Sequence, residues 1–329
     1  MGHCERRPGQ RTQPCAEGNI REKPAKGMRI VAALGGNALL ERGEPPESEI
    51  QEKHILKAVS ALAPLAREHE LVITHGNGPQ VGLLALESAG DPALAHPYPL
   101  DVLGAQTQGM IGYWLVQALQ NALPGRQVAC LVSQTLVSAA DPAFTSPSKL
   151  VGPVYPEQQA RQLADAHGWD IGKDGPWWRR IVPSPEPVEL LDLLLICTLE
   201  GTGVIVICAG GGGVPVVRTE AGQLRGVEAV VDKDLTAALL AQGLGADALL
   251  LLTDVEAVED GFGTPHAQPI HWASPGELRT RSFPAGSMGP KVEAACRFVE
   301  ATGKMAGIGQ LADAEALLRR DAGTTVTPG

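Results

Sequence analysis

The sequence predicts an α/β protein: a three-layer αβα sandwich on a mainly parallel open sheet, with a small protruding lid subdomain. Three observations predict it. Short runs rich in Val, Ile and Leu recur without polar alternation at 29–34, 71–74, 127–133, 204–209 and 248–253. Such runs belong to strands covered on both faces and paired in parallel. Longer stretches with helical apolar spacing alternate with them, as βαβ units require. Glycine-rich segments follow three of the strands directly, at the carboxyl end where open α/β sheets bind ligands.

Residues 1–27 stand apart, with six Lys/Arg against three Asp/Glu, a net +3 that leaves −13 for the rest of the chain. They carry almost no apolar periodicity and read as a disordered extension or the product of an upstream start. Met28-Arg29-Ile30 then leads into the first strand like a natural beginning. Strand 29–34 runs into Leu34-Gly35-Gly36-Asn37-Ala38, and a helix is expected at 49–69, interrupted near Pro64. Strand 71–74 runs into His75-Gly76-Asn77-Gly78-Pro79, followed by helices at 79–90 and 102–121. Strand 127–133 comes next.

Residues 141–187 break this rhythm. They are rich in Pro, hold Trp169, Trp177, Trp178 and the pair Arg179-Arg180, and contain one helical stretch, 157–167. A protruding lid fits them, and a plain surface insertion is the alternative. Strand 204–209 then ends in Ala209-Gly210-Gly211-Gly212-Gly213. Helix 232–243, strand 248–253, the segment Gly286-Ser287-Met288-Gly289-Pro290-Lys291 and helices at 291–302 and 313–320 complete the chain.

Composition narrows the function. Hydrophobic residues make up 44% of the 329 and charged residues 19%, as in a globular protein with a sizeable core. A formal net charge of −10 and only 4% aromatics argue against a nucleic-acid footprint or a base-stacking surface. The six cysteines show no C-x-x-C spacing and are expected to be reduced thiols, mostly buried. No apolar run is long enough to span a membrane and no signal-peptide core is present, so a cytoplasmic protein is expected.

The glycine segments carry the chemical argument. Glycines at a strand's end let backbone N–H groups approach an anion with no Cβ in the way. A following helix adds its positive N-terminal dipole. Four such segments, none of them a G-x-x-x-x-G-K-[ST] loop, imply a substrate facing a polyphosphate, hence phosphoryl transfer. That chemistry needs alignment and charge neutralisation, and three lysines lie beside glycine or proline turns: Lys149, Lys233 and Lys291. A loop lysine is usually a solvated one. Lys291 differs, because a cation at a helix N-terminus opposes the dipole unless an anion sits there. Lys233 is flanked by Asp232 and Asp234 near a helix start, where capping is the alternative role for either carboxylate. His75 reads as a structural residue before a general base. Asp254 contacts nucleotide or caps a turn, and both readings stay open. No His/Cys/Asp/Glu cluster has metal-ligand spacing, so any metal is expected to be Mg²⁺ arriving on nucleotide phosphates.

Five segments in order resemble one family. Gly35-Gly36-Asn37-Ala38, His75-Gly76-Asn77-Gly78-Pro79-Gln80-Val81-Gly82, Ala209-Gly210-Gly211-Gly212-Gly213, Val231-Asp232-Lys233-Asp234 and Gly286-Ser287-Met288-Gly289-Pro290-Lys291 are similar to carbamate kinases, of the amino acid kinase superfamily. The likeness runs from about Met28 to Thr327. It implies reversible transfer between Mg·ATP and carbamate, giving ADP and carbamoyl phosphate, by a homodimer with a mobile subdomain over the carbamate. It also implies an N-lobe at about 28–225 that includes the lid, and a nucleotide-binding C-lobe at about 226–329.

By the same resemblance Gly35, Gly36, Asn37, Gly76, Asn77 and Gly78 cradle carbamate and the moving phosphoryl group. Lys149 reaches the carbamate, Lys233 and Lys291 neutralise the transition state, and Asp234 orients lysines. Gly211, Gly212, Asp254, Met288 and Gly289 fall on the nucleotide side. Two other readings compete with this one. Acetylglutamate kinases carry a lysine where Asn37 stands, and the 141–187 insertion also counts against that activity. A non-catalytic ligand sensor would have no need of three lysines and Asp234.

Overall fold

The computed structural model describes residues 27–36, 39–41, 43–284 and 286–329. The expected extension, apart from Gly27, and the expected cradle residue Asn37 lie outside the described residues.

The first third of the chain forms β1 (Arg29–Leu34), α1 (Ser48–Glu68), β2 (Glu70–His75), α2 (Gly78–Gly90), α3 (Leu100–Ala122), β3 (Val128–Cys130) and β4 (Gln134–Val137). The middle forms β5 (Lys149–Tyr155), α4 (Glu157–His167), β6 (Ile171–Asp174), β7 (Trp177–Val182), β8 (Pro187–Leu190) and α5 (Leu193–Glu200). There follow β9 (Ile205–Ile207), β10 (Val214–Arg218), β11 (Leu224–Gly226), α6 (Lys233–Leu244), β12 (Ala248–Thr253), β13 (Val258–Asp260), β14 (Gln268–Ile270) and β15 (Trp272–Ala273). The chain closes with α7 (Pro275–Arg279), α8 (Met288–Thr302), β16 (Met305–Gln310), α9 (Ala314–Arg319) and β17 (Thr324–Val326).

Among the described residues the largest sheet has eight strands in the order β15-β17-β16-β12-β1-β2-β9-β3. Every pairing in it is parallel except β16 with β17. Side chains alternate across a strand, and β1 shows what that does to an unbroken apolar run. Ile30, Ala32 and Leu34 pack with α1, α3 and α9 on one face. Val31 and Ala33 pack with α6 and α8 on the other. Both faces are therefore dry, and the expected αβα sandwich is the result.

Two local expectations differ from the fold. Helix α1 runs unbroken through Pro64. Its neighbours Leu62, Ala63, Leu65 and Ala66 are buried against the sheet, so packing outweighs the backbone hydrogen bond that proline cannot donate. The expected strand 127–133 is split into β3 and β4, which lie in different sheets. Ser133 turns the chain between them, because its N–H donates to Gln108 Oε1 at 2.9 Å and its Oγ accepts from Ala209 N at 2.6 Å. A second sheet, β11-β10-β4-β8, follows from that turn. Strand β16 was not expected at all: Met305, Ala306 and Gly307 offer little strand propensity, yet all three are buried beside β12.

Within 141–187 an antiparallel sheet, β5-β7-β6, packs with α4. Trp178 lies under Arg161 and Lys173 at 5.3 and 5.7 Å. This unit rests on α2 through a contact of backbone on backbone, Gly82 against Gly152. A Cβ at Gly82 would overlap the Gly152 Cα. Gly82→Ala should therefore force β5 off the helix and destabilise the protein by about 1–3 kcal/mol, as overpacking does. Gly90→Ala, in the same helix with open space around it, is the control. Chemical denaturation of both variants checks this, and equal midpoints would show that the contact yields without cost. Among the described residues no helix is long and apolar enough to cross a membrane.

Candidate active site

Strands β1, β2 and β9 end side by side, so their glycine turns meet. Gly35 N donates to Leu252 O at 2.9 Å and Gly76 N to Leu34 O at 3.0 Å. A methyl at Gly76 would stand 3.0 Å from Gly36 N and 3.3 Å from Lys233 Cδ. Two expected cradle turns and one expected lysine are thus in contact. Asn77 precedes α2, with Gly78 opening the helix and Pro79 in its first turn. The Asn77 amide donates to Thr107 Oγ1 at 2.9 Å. Gly211, at φ +63°, lies so close to the Asn77 amide that any Cβ would overlap it. This explains glycine there by close approach as well as by backbone sign. Gly212 is tied to α6, since its carbonyl accepts from Thr236 Oγ1 at 3.1 Å and also from Thr135 Oγ1 at 2.7 Å.

Helix N-termini deliver the charges. Lys233 opens α6, and its Nζ donates to Asp234 Oδ1 at 2.6 Å. Lys291, in the first turn of α8, donates to Asp234 Oδ2 at 2.9 Å. One buried carboxylate therefore bridges two ammonium groups. Lys149, at the start of β5, reaches Asp232 Oδ2 at 2.8 Å. Asp232 caps α6 with its other oxygen, accepting from Asp234 N at 2.9 Å and Leu235 N at 3.4 Å. The structure brings together Lys149, Lys233, Asp234 and Lys291 with the glycine turns at Gly35, Gly36, Gly76, Asn77 and Gly78. Met288 and Gly289 open α8, and Gly289 N donates to Pro284 O at 2.9 Å. Asp254 is exposed just beyond β12 and accepts from Thr253 Oγ1 at 3.1 Å.

Burial sets the electrostatics. It pushes the Lys233 ammonium down to about 8, with Lys291 adding repulsion and Asp234 opposing the fall. Burial also works against Lys291, but attraction and hydrogen bonding to Asp234 outweigh it and hold that lysine above its ordinary value. Asp234 lies well below the usual carboxylate range: burial alone would raise it, and the two ammonium groups prevail. Asp232 is lowered in the same way, Lys149 overcoming burial. His75 is fully buried and burial pushes it down to about 4, so it is neutral at pH 7 and packs as a structural residue against Gly210.

The Lys233 value carries a pH prediction. Its charged form is complete well below about 8 and is lost as pH rises through it. If the ammonium is needed, kcat/KM should fall with rising pH along a limb near 8 in the free enzyme. Between 8 and the ordinary 10.5 the unfolded chain binds this proton more tightly, so the group favours folding as pH rises. The thiols of Cys130, Cys208 and Cys296, raised by burial, act in the opposite sense, so circular dichroism across the same pH range separates loss of activity from denaturation. Lys233→Arg should remove the limb, and a limb that stays in place would assign it to another group.

The model of the amino acid kinase family matches residues 28–308. The chain belongs to that family. Among its relatives is a carbamate kinase of Rhizobium meliloti, 53% identical over 304 residues that span 91% of this chain and 93% of that one. Carbamate kinase from Giardia lamblia bound to citric acid superposes with a TM-score of 0.87 at 39% identity, covering 92% of this chain and 99% of the other. The same enzyme bound to AMP-PNP gives 0.83 at 38%, with the same coverage. The resemblance drawn from the five motifs is thus supported across nearly the whole of this amino acid kinase.

Sequence reasoning passed over several residues. In sequence Asp232 reads only as a cap, and its contact with Lys149 spans 83 positions that no local pattern links. Thr107, Gln108, Ser133 and Thr135 form a buried polar layer beneath the glycine turns. The only sequence signal for them was their polarity inside or beside otherwise apolar elements.

Proposed function

We propose that this chain is a carbamate kinase, transferring a phosphoryl group reversibly between Mg·ATP and carbamate to give ADP and carbamoyl phosphate. The observation that carries this reading is the Lys233–Asp234–Lys291 bridge set against the glycine turns, in a chain 53% identical to a carbamate kinase. Carbamate is already an anion, so its oxygen attacks the γ-phosphorus without a base. The bond from phosphorus to the bridging oxygen breaks and ADP keeps the electron pair. What the protein must do is bring anions together and neutralise charge on the transferring oxygens. Lys233 and Lys291 take that part, with Asp234 aligning both. The turns that contain Gly35, Gly36, Asn37, Gly76, Asn77 and Gly78 cradle carbamate and the phosphoryl group, the Gly35 and Gly76 N–H groups fixing the turns through Leu252 O and Leu34 O, and Lys149 reaches the carbamate from the lid. Gly211, Gly212, Asp254, Met288 and Gly289 serve the nucleotide side.

Magnesium bound to the nucleotide would neutralise charge on its phosphates. Among the described residues no group of three His, Cys, Asp or Glu side chains could hold a metal. The family likeness also supports a homodimer, a cytoplasmic setting and ATP formation in arginine catabolism.

The test is a coupled assay for ATP from ADP and carbamoyl phosphate, run beside acetyl phosphate and acetylglutamyl phosphate. ATP from carbamoyl phosphate is the expected result. ATP from acetylglutamyl phosphate alone would transfer the chain to the other activity of the same fold.

A further inference from the structure

The cap of α6 and the lid lysine share one carboxylate. Asp232 Oδ1 accepts the N–H groups of Asp234 and Leu235, which fixes the carboxylate plane at the first turn of α6. Its Oδ2 is then aimed away from the helix and accepts Lys149 Nζ at 2.8 Å. Side-chain exposure of the pair is 25% and 17%, so water competes only partly for this contact. The same turn carries Lys233 and Asp234, and through Asp234 it reaches Lys291. One hydrogen-bonded chain thus runs from β5 of the lid unit to the N-termini of α6 and α8.

We propose that Asp232 is a positioning residue, whose carboxylate docks Lys149 onto the first turn of α6 and holds its ammonium beside the phosphoryl-transfer lysines. This deepens the carbamate kinase reading and rests on it. An ammonium has three N–H donors, and Asp232 takes one. Two remain for an anion brought to the glycine turns. Lys149 opens β5, which also meets the body of the protein through the Gly82–Gly152 contact and through Val151 packed with Val81, Leu103 and Val230, but those contacts hold the strand and not the lysine side chain. Without Asp232, a flexible side chain on such an element would pay its ordering entropy when substrate binds. With Asp232, that ordering is already done. The effect belongs to binding of the small anionic substrate, not to the barrier of the transfer step.

Asp232→Asn separates the two jobs of the residue. Asparagine caps a helix as well as aspartate does, so α6 keeps its first turn. The amide placed toward Lys149 is a donor or a neutral acceptor, and the charge-assisted bond is lost. KM for carbamoyl phosphate should rise about tenfold, the usual effect of losing one such bond, while kcat changes little. Lys149→Met, which keeps the aliphatic stem, should raise the same KM. The double variant should be no worse than Lys149→Met alone, because the carboxylate acts through that lysine. A pure capping role would leave KM unchanged in Asp232→Asn, and multiplying effects in the double variant would mean that the two residues act separately. Either result overturns the proposal.

A second arm needs no turnover. Amide hydrogen exchange across β5 in the ligand-free protein should quicken in Asp232→Asn and in Lys149→Met alike. Unchanged exchange in both would also overturn the proposal. Asp232→Ser keeps a capping oxygen but cannot reach Lys149, and it gives the same readings if the asparagine variant folds poorly. Wild-type protein that makes no ATP from carbamoyl phosphate would remove the carbamate kinase reading, and the exchange arm would still decide whether the latch exists.

Discussion

Lys291→Ala is expected to lower kcat by about 10²-fold or more, the usual cost of removing one preorganised electrostatic donor. Three observations make the effect large. Lys291 is only 8% exposed, its ammonium is held by Asp234, and it stands at the N-terminus of a 15-residue helix. Burial leaves little water to replace it, so the charge that grows on the transferring oxygens would lose a partner that nothing else can supply. The fold should survive, because Asp234 keeps Lys233. A secondary effect has a defined sign. Lys291 helps to depress Lys233, so its removal should move the alkaline limb of the pH profile upward. Steady-state kinetics across pH reads both effects, and an unchanged kcat would remove Lys291 from the chemistry.

Asp234→Asn should be the most damaging single change. The substitution keeps shape and deletes the one charge that bridges Lys233 and Lys291. Breaking a buried ion pair from one side costs about 3–5 kcal/mol, because the remaining charge is left uncompensated. Here two ammonium groups are left, and the cheapest response is for Lys233 to give up its proton. The alkaline limb should therefore move to lower pH, opposite to Lys291→Ala, and activity lost at pH 8 should partly return at pH 6. Urea denaturation and pH–rate profiles test the two parts together. Unaltered stability with an unmoved limb would mean that water, not Asp234, balances these lysines.

Much of the architecture was legible in sequence. β1, β2 and β12 were evident because a strand buried on both faces must be apolar at every position, and chance seldom produces that. Helices α2, α3, α4 and α6 fell within a residue or two of their expected bounds, since glycine, proline and acidic residues mark their ends. Other parts left no such mark. β16 begins Met305-Ala306-Gly307, a poor strand by propensity, and forms because β12 offers it an open edge. The second sheet is made of short strands with mixed exposure, whose pairing partners lie far along the chain.

The candidate site divides along the same line. Sequence by itself determined which residue types stand at the strand ends: glycines where an anion must meet backbone N–H groups, and lysines at helix starts where a cation makes sense only beside negative charge. Both follow from local backbone geometry and the helix dipole. Only the tertiary structure decided the pairings. Lys291 meets Asp234 across 57 positions and Lys149 meets Asp232 across 83, because β5 lies on α2 and α8 packs on α6. An ion pair depends on ångström-scale separation and on how much water is excluded. Those quantities are set by packing between distant segments, and no spacing along the chain records them.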